Sequence, residues 1–150
     1  MHRTRSRTTT RRTRRLAALA LAAVLAVSAV AVPMALAHGG KTVVREARAP
    51  SLHKTVLTNT KGLTLYSLSV EKNGMFICTG SCTSTWFPLI VARGTTPKGS
   101  VKLGTVRRPE GKLQVTFRGR PLYTFDGDSA KGQANGEGFK DVGTWHAVTP

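Results

Sequence analysis

The chain has 150 residues, with 23 Lys and Arg against 7 Asp and Glu, a formal charge of +16, and two cysteines. That length leaves room for one domain with a modest core and is too short for two. The basic excess suits an anionic neighbour such as wall polymer, lipid headgroups or nucleic acid, or else only keeps a well-charged exterior soluble.

The chain opens on seven arginines, Arg3, Arg5, Arg7, Arg11, Arg12, Arg14 and Arg15, with no acid among them. An apolar run from Leu16 to Val32 follows, then Ala35-Leu36-Ala37, a small-residue exit before His38. A charged head, apolar middle and small-residue exit make a secretory signal peptide, so residues 1–37 are expected to be removed. The apolar run is shorter than the ~20 residues of a spanning helix and rich in alanine, which argues against a retained anchor. Arg14-Arg15 also fits twin-arginine export, but a pair is nearly inevitable among so many arginines. Losing the seven arginines leaves 16 basic and 7 acidic residues, a net charge of +9 scattered along the chain. Neither cysteine lies near the cleavage site, so the expected product is secreted and extracellular or envelope-associated. It would carry no lipid anchor and no transmembrane span.

Residues 38–52 read as an irregular basic lead-in closed by Pro50-Ser51, and residues 53–150 as a β-rich domain. Val56 and Leu57 lie in a β-favouring stretch that ends in a hairpin turn, Asn59-Thr60-Lys61-Gly62, and Leu63 to Val70 continues as a strand. Asn73-Gly74 breaks the chain before the loop Cys78-Thr79-Gly80-Ser81-Cys82, with at most a short helix near Cys82–Trp86. Trp86 to Val91 is apolar, Val101 to Arg107 reads as a strand, and Pro109-Glu110-Gly111 as a turn. Leu113, Val115 and Phe117 alternate with Gln114, Thr116 and Arg118, the pattern of a half-buried strand. Gly119-Arg120-Pro121 turns the chain into Leu122–Phe125, a glycine-rich loop spans Asp126 to Gly138, and Val142 to Val148 closes with Trp145. No segment after residue 50 has apolar residues at helical spacing over several turns. The fold class is all-β, mostly antiparallel.

One pattern occurs twice at a fixed offset of 57 residues. Gly62-x-x-Leu65-Tyr66-Ser67-Leu68-x-x-Glu71 matches Gly119-x-x-Leu122-Tyr123-Thr124-Phe125-x-x-Asp128 position by position. Residues i and i+2 share a strand face, so Tyr123 and Phe125 stand side by side. Asp128 falls past the strand end, where a carboxylate can accept backbone N–H bonds, and a buried tyrosine needs a partner for its hydroxyl. The acids serve as turn caps or, alternatively, as ligands for a cation or substrate. These residues, with Cys78-x-Gly80-x-Cys82-x-x-x-Trp86-x-Pro88 and Gly136-x-Gly138 before Trp145, resemble the secreted-repeat family defined by its Yx(FWY)xxD motif, many of whose members are bacterial lipoproteins. The second copy fits fully, whereas the first has Leu68 for the aromatic and Glu71 for the aspartate. The resemblance covers about Thr55 to Pro150 and implies a small single domain of two tandem β-rich repeats, about 55–91 and 101–150, of no established activity. The lipidated cysteine of the lipoprotein members is missing.

Two half-cystines in an oxidising compartment are expected to pair, which makes Cys78–Cys82 a structural disulfide. A redox pair ordinarily uses Cys-x-x-Cys with a basic activator, and a metal site would need Met75, His53 or His146 beside the sulfurs. Asp126-Gly127-Asp128 starts like a calcium loop, but Lys131 stands where the EF-hand needs Gly. There is no Gly-x-Ser-x-Gly elbow, His-Glu-x-x-His or phosphate loop, so no catalytic residue and no cofactor is assigned and the protein is not expected to be an enzyme. Nucleic acid is a poor fit for scattered charge on an exported chain. The expectation is a non-catalytic envelope or extracellular binding module carrying Tyr66, Leu68, Glu71, Tyr123, Phe125, Asp128, Trp86 and Trp145. The alternative is an envelope metal or redox accessory protein using Cys78, Cys82, Met75 or His146.

Overall fold

The computed structural model describes residues 40–150, and the leader and its cleavage site lie outside them. The first described element is already a strand, β1 (Lys41–Ala49), where an irregular lead-in was expected. Its polar residues hid it, because only Val43, Val44 and Ala49 turn inward while the charged positions between them stay exposed. Pro50 then opens a single 3-10 turn over Pro50–Leu52, His53 takes a left-handed conformation, and β2 (Lys54–Asn59) runs back antiparallel from Ala49↔Lys54 to Val44↔Asn59.

Past the hairpin turn at residues 59–62 come β3 (Tyr66–Leu68), a 3-10 turn over Gly80–Ser84, β4 (Trp86–Pro88), β5 (Ile90–Val91) and β6 (Pro97–Gly99). The second half supplies β7 (Leu103–Arg107), β8 (Leu113–Phe117), β9 (Arg120–Pro121), β10 (Tyr123–Phe125) and β11 (Trp145–Ala147). The expected strands at 63–70, 101–107 and 142–148 are thus present in shortened form. The apolar run from Trp86 to Val91 is split between two sheets, β4 in one and β5 in the other.

Among the described residues three sheets result, with orders β2-β1-β6, β11-β3-β10-β4 and β5-β8-β7, and β9 added to β8. Every pairing is antiparallel except β1 with β6. The sheet that matters most has the two motif strands, β3 and β10, at its centre and the two tryptophan strands, β11 and β4, at its edges. Tyr66 pairs with Tyr123, Trp145 with Leu68 and Trp86 with Phe125.

Period-two alternation then sends each motif into two cores. Leu65 and Leu122, one residue before each tyrosine, join Val43, Val44, Leu57, Val91, Val115 and Phe117 in a cluster that ties all three sheets together. Tyr66, Leu68, Tyr123, Trp86, Trp145 and Cys78 pack on the other face of the motif sheet. A third, small cluster sits under β2. The alternation in β8 is real, but its other face is not solvent: Gln114 and Thr116 are buried too, Gln114 against Arg108 and the Leu122 carbonyl.

Candidate functional site

The two motif tyrosines are fully buried, and each donates its hydroxyl to the acid of the other motif. Tyr66 Oη lies 2.6 Å from Asp128 Oδ2, and Tyr123 Oη lies 2.8 Å from Glu71 Oε2. Pairing of Tyr66 with Tyr123 across β3 and β10 sends the two chains past each other in opposite directions, so each acid falls beside the neighbour's ring rather than its own. Bonds from a hydroxyl to a buried carboxylate are charge-assisted and contribute roughly 1.5–3 kcal/mol each.

The second oxygen of each carboxylate takes backbone donors. Glu71 Oε1 accepts the N–H groups of Ile77 and Cys78, both at 2.7 Å. Asp128 Oδ1 accepts the N–H of Asn135 at 2.9 Å, while Tyr66 Oη accepts the N–H of Gly136. Gly136 sits so close to the aromatic core that a Cβ there would lie 2.8 Å from Trp86 Cη2. Burial first, then the bonds to their acids, pushes both phenols well above the ordinary value for tyrosine.

Beside Tyr123 lies a residue the sequence did not single out. Arg108, 1% exposed, follows β7, and its fork is fully engaged. Nη1 donates to Gln114 at 2.6 Å and to Tyr123 Oη at 3.3 Å, Nη2 donates to the Cys78 carbonyl at 2.8 Å, and Nε meets Glu110. Burial alone would lower its affinity for the proton, but the bonds to Glu110 and Tyr123 outweigh burial and raise it, while Arg108 holds Glu110 below the usual carboxylate range. Gln114 passes the network on by donating to the Leu122 carbonyl. Nothing local in the sequence marks Arg108, since its partners come from 30 residues before it to 15 after it.

Between the tyrosines the aromatic rings form a column. Trp86 and Trp145 stack with centroids 3.8 Å apart and an interplanar angle of 6°. Tyr66 meets Trp86 edge-on, Tyr123 meets Trp145 edge-on, and Phe125 stacks on Trp86 at 4.4 Å. Such pairs add about 0.5–1.5 kcal/mol each beyond burial. Phe125 itself is only half-buried.

Cys78 and Cys82 form a disulfide with Cα atoms 5.2 Å apart, which holds the loop whose N–H of Cys78 caps Glu71. Both sulfurs are therefore unavailable as thiolate ligands. Met75 is exposed, and His146 Nδ1 donates to Glu137 at 2.9 Å. Among the described residues no cluster of three His, Cys, Asp or Glu is arranged to hold a metal. Glu71 and Asp128 are 0% and 4% exposed, so the motif acids meet other parts of the chain instead of a solvent-borne ligand.

Residues 104–149 match the family described as a secreted repeat of unknown function. The matched secreted repeat holds the second motif, with Tyr123, Phe125 and Asp128, and Trp145. No curated protein and no solved structure matches the chain.

Proposed function

We propose that the domain is a non-catalytic binding module of the extracellular space or cell envelope, built as two tandem repeats, whose cationic exterior holds an anionic envelope component. The observation that carries this reading is a division of charge between interior and surface. Of the 7 acids, Glu71 and Asp128 are buried under the tyrosines, Glu110 is tied to Arg108, and Glu137 is tied to His146 and the Ala147 N–H. Glu46, Asp126 and Asp141 are the acids left exposed without such a bond. Of the cations in the described residues, only Arg108 is buried and paired with an acid. The fold thus buries two of its seven carboxylates and ties up two more, while every lysine and arginine of the described residues except Arg108 keeps some exposure to water, a field that attracts anionic polymers.

The family description as secreted supports an address outside the cytoplasm, and the absence of a cysteine before Cys78 supports a product free of a lipid anchor. Retention on purified cell-wall polymer at low salt, with release as salt shortens the screening length to a few Å, is the expected result. Salt-independent retention, none at all, or stoichiometric copper, zinc or iron in protein taken from its native host would overturn it; the metal would point instead to the metal or redox accessory role.

A further inference from the structure

The turn from β8 to β9 places Arg118 and Gly119 between the paired residues Phe117 and Arg120. Both turn residues have positive φ, 50° at Arg118 and 77° at Gly119. That is the tight hairpin geometry in which the first position is ordinarily Asn, Asp or Gly. A side chain as long as arginine gains nothing for the turn and is disfavoured there by its own Cβ. Strained residues of this kind concentrate where a side chain must be presented. The guanidinium of Arg118 lies over the Phe117 ring, 4.6 Å from its centroid, and pairs with no carboxylate among the described residues.

Phe117 and Arg118 are shared by two cavities of about 560 Å³ and 220 Å³. Val101, Leu103 and Phe117 give the larger one an apolar lining, Lys102 and Arg118 give it two cations, Pro150 with its C-terminal carboxylate also lines it, and no Asp or Glu side chain lines either cavity. Arg120, in the smaller cavity, is already bonded to the carbonyls of Ser69 and Glu71. Lys102 and Arg118 are therefore the cations with donors to spare. The larger volume falls within the ~300–1,000 Å³ of small-ligand sites.

We infer that this groove is a binding site for one small anionic amphiphile, taken as a free molecule, with its apolar body on Val101, Leu103 and Phe117 and its acid group between Lys102 and Arg118. Arginine suits the second position because its planar fork can meet a carboxylate through two parallel bonds. The strained turn fixes the direction of that fork. The site needs two particular cations, and so differs from the surface-wide attraction proposed above.

Titration calorimetry of the secreted protein with decanoate, below its micelle concentration, tests the site against decanol as the neutral control. The expected result is saturable binding of one decanoate, with decanol about ten-fold weaker or worse. Arg118→Gly and Lys102→Gln should each weaken decanoate about ten-fold, while Lys54→Gln, away from the groove, leaves it unchanged. Glycine accepts the left-handed turn, so Arg118→Gly should keep or raise the melting temperature, and lost binding could not be ascribed to unfolding. No saturable binding, equal affinity for decanol, or undiminished affinity in Arg118→Gly would overturn the site. So would binding found only on vesicles containing anionic phospholipid, which would assign the cations to a membrane surface. The same variant run on cell-wall polymer should be retained nearly as well as the parent, because it loses one cation of many. Failure of the groove and failure of the wider charge reading are therefore told apart.

Discussion

The two tyrosine–acid bonds do the same job with different supports. Around Glu71 the support is stiff and charged: the disulfide loop supplies two N–H donors, and Arg108 bridges Tyr123 to the Cys78 carbonyl. Around Asp128 it is neutral and built from a glycine-rich loop, with the N–H groups of Asn135 and Gly136. The longer Glu side chain reaches a partner loop that a covalent bond pins in place. The shorter Asp relies on a loop that folds tightly against the ring edges, where only glycine fits at 136. A buried carboxylate can thus be held either by a counterion at one remove or by aligned neutral donors, and a single molecule contains both solutions.

The sharpest way to break this comparison is to remove the charges. Arg108→Ala should destabilise the domain by ~3–5 kcal/mol, since it strips a buried network of its cation, and Glu71→Ala by a similar amount. Asp128→Ala, which strands one hydroxyl and one N–H, should cost ~2–3 kcal/mol. Urea unfolding of the three variants measures the difference, and equal costs at the two acids would mean that the charged support adds nothing.

Alkaline titration comes next. Both phenols stay protonated in the folded state while those of the unfolded chain ionise near 10.0, so their contribution is intact below pH 10 and lost as the pH rises above it. The limiting slope is about 1.4 kcal/mol per pH unit for each tyrosine. Tyr66→Phe and Tyr123→Phe should each remove one share, read from unfolding at stepped pH. Because Arg108 pulls against the rise at Tyr123, Tyr66 should be the last to ionise.

Reduction of Cys78–Cys82 should cost ~2 kcal/mol for so short a loop. Its effect should fall on the Glu71 side, so a Tyr123→Phe protein loses less on reduction than a Tyr66→Phe protein does. Smallest of all is the coupling measured in double-mutant cycles. Tyr66→Phe with Asp128→Asn should show ~1–2 kcal/mol of coupling, whereas Tyr66→Phe with Glu71→Gln, in the same motif, should add within about 0.5 kcal/mol. Strong coupling inside one motif would contradict the exchange.

Those long-range partners also mark the limit of what the chain discloses to a reader. Strand character, the hairpin turn at residues 59–62, the disulfide and the inward tyrosines are local properties, carried by period-two alternation, turn residues and cysteine count. That a tyrosine would seek a carboxylate and that Asp128 would accept backbone bonds also follow from side-chain chemistry. Which carboxylate each tyrosine finds does not, because the answer lies 62 residues away for Tyr66 and 52 for Tyr123. β1 escaped notice because its inward positions are two adjacent valines and one alanine among charged residues. Arg108 escaped because a buried cation looks, in sequence, like any other arginine in a hairpin turn. The left-handed Arg118 was likewise hidden, since an Arg-Gly turn does not declare its φ angles.

The exchanged bonds have a consequence for where this domain can be cut. Residues 104–149 are the stretch that matches the secreted repeat, and they contain one tyrosine and one acid whose partners, Glu71 and Tyr66, both lie outside it. Cut out alone, that segment would leave its buried hydroxyl and carboxylate facing nothing and its tryptophan without the ring it stacks on. The matched stretch therefore does not contain the partners that its own tyrosine and acid bond. Substitutions tolerated inside it depend on what stands outside it, so the pairs expected to vary together are 66 with 128 and 123 with 71.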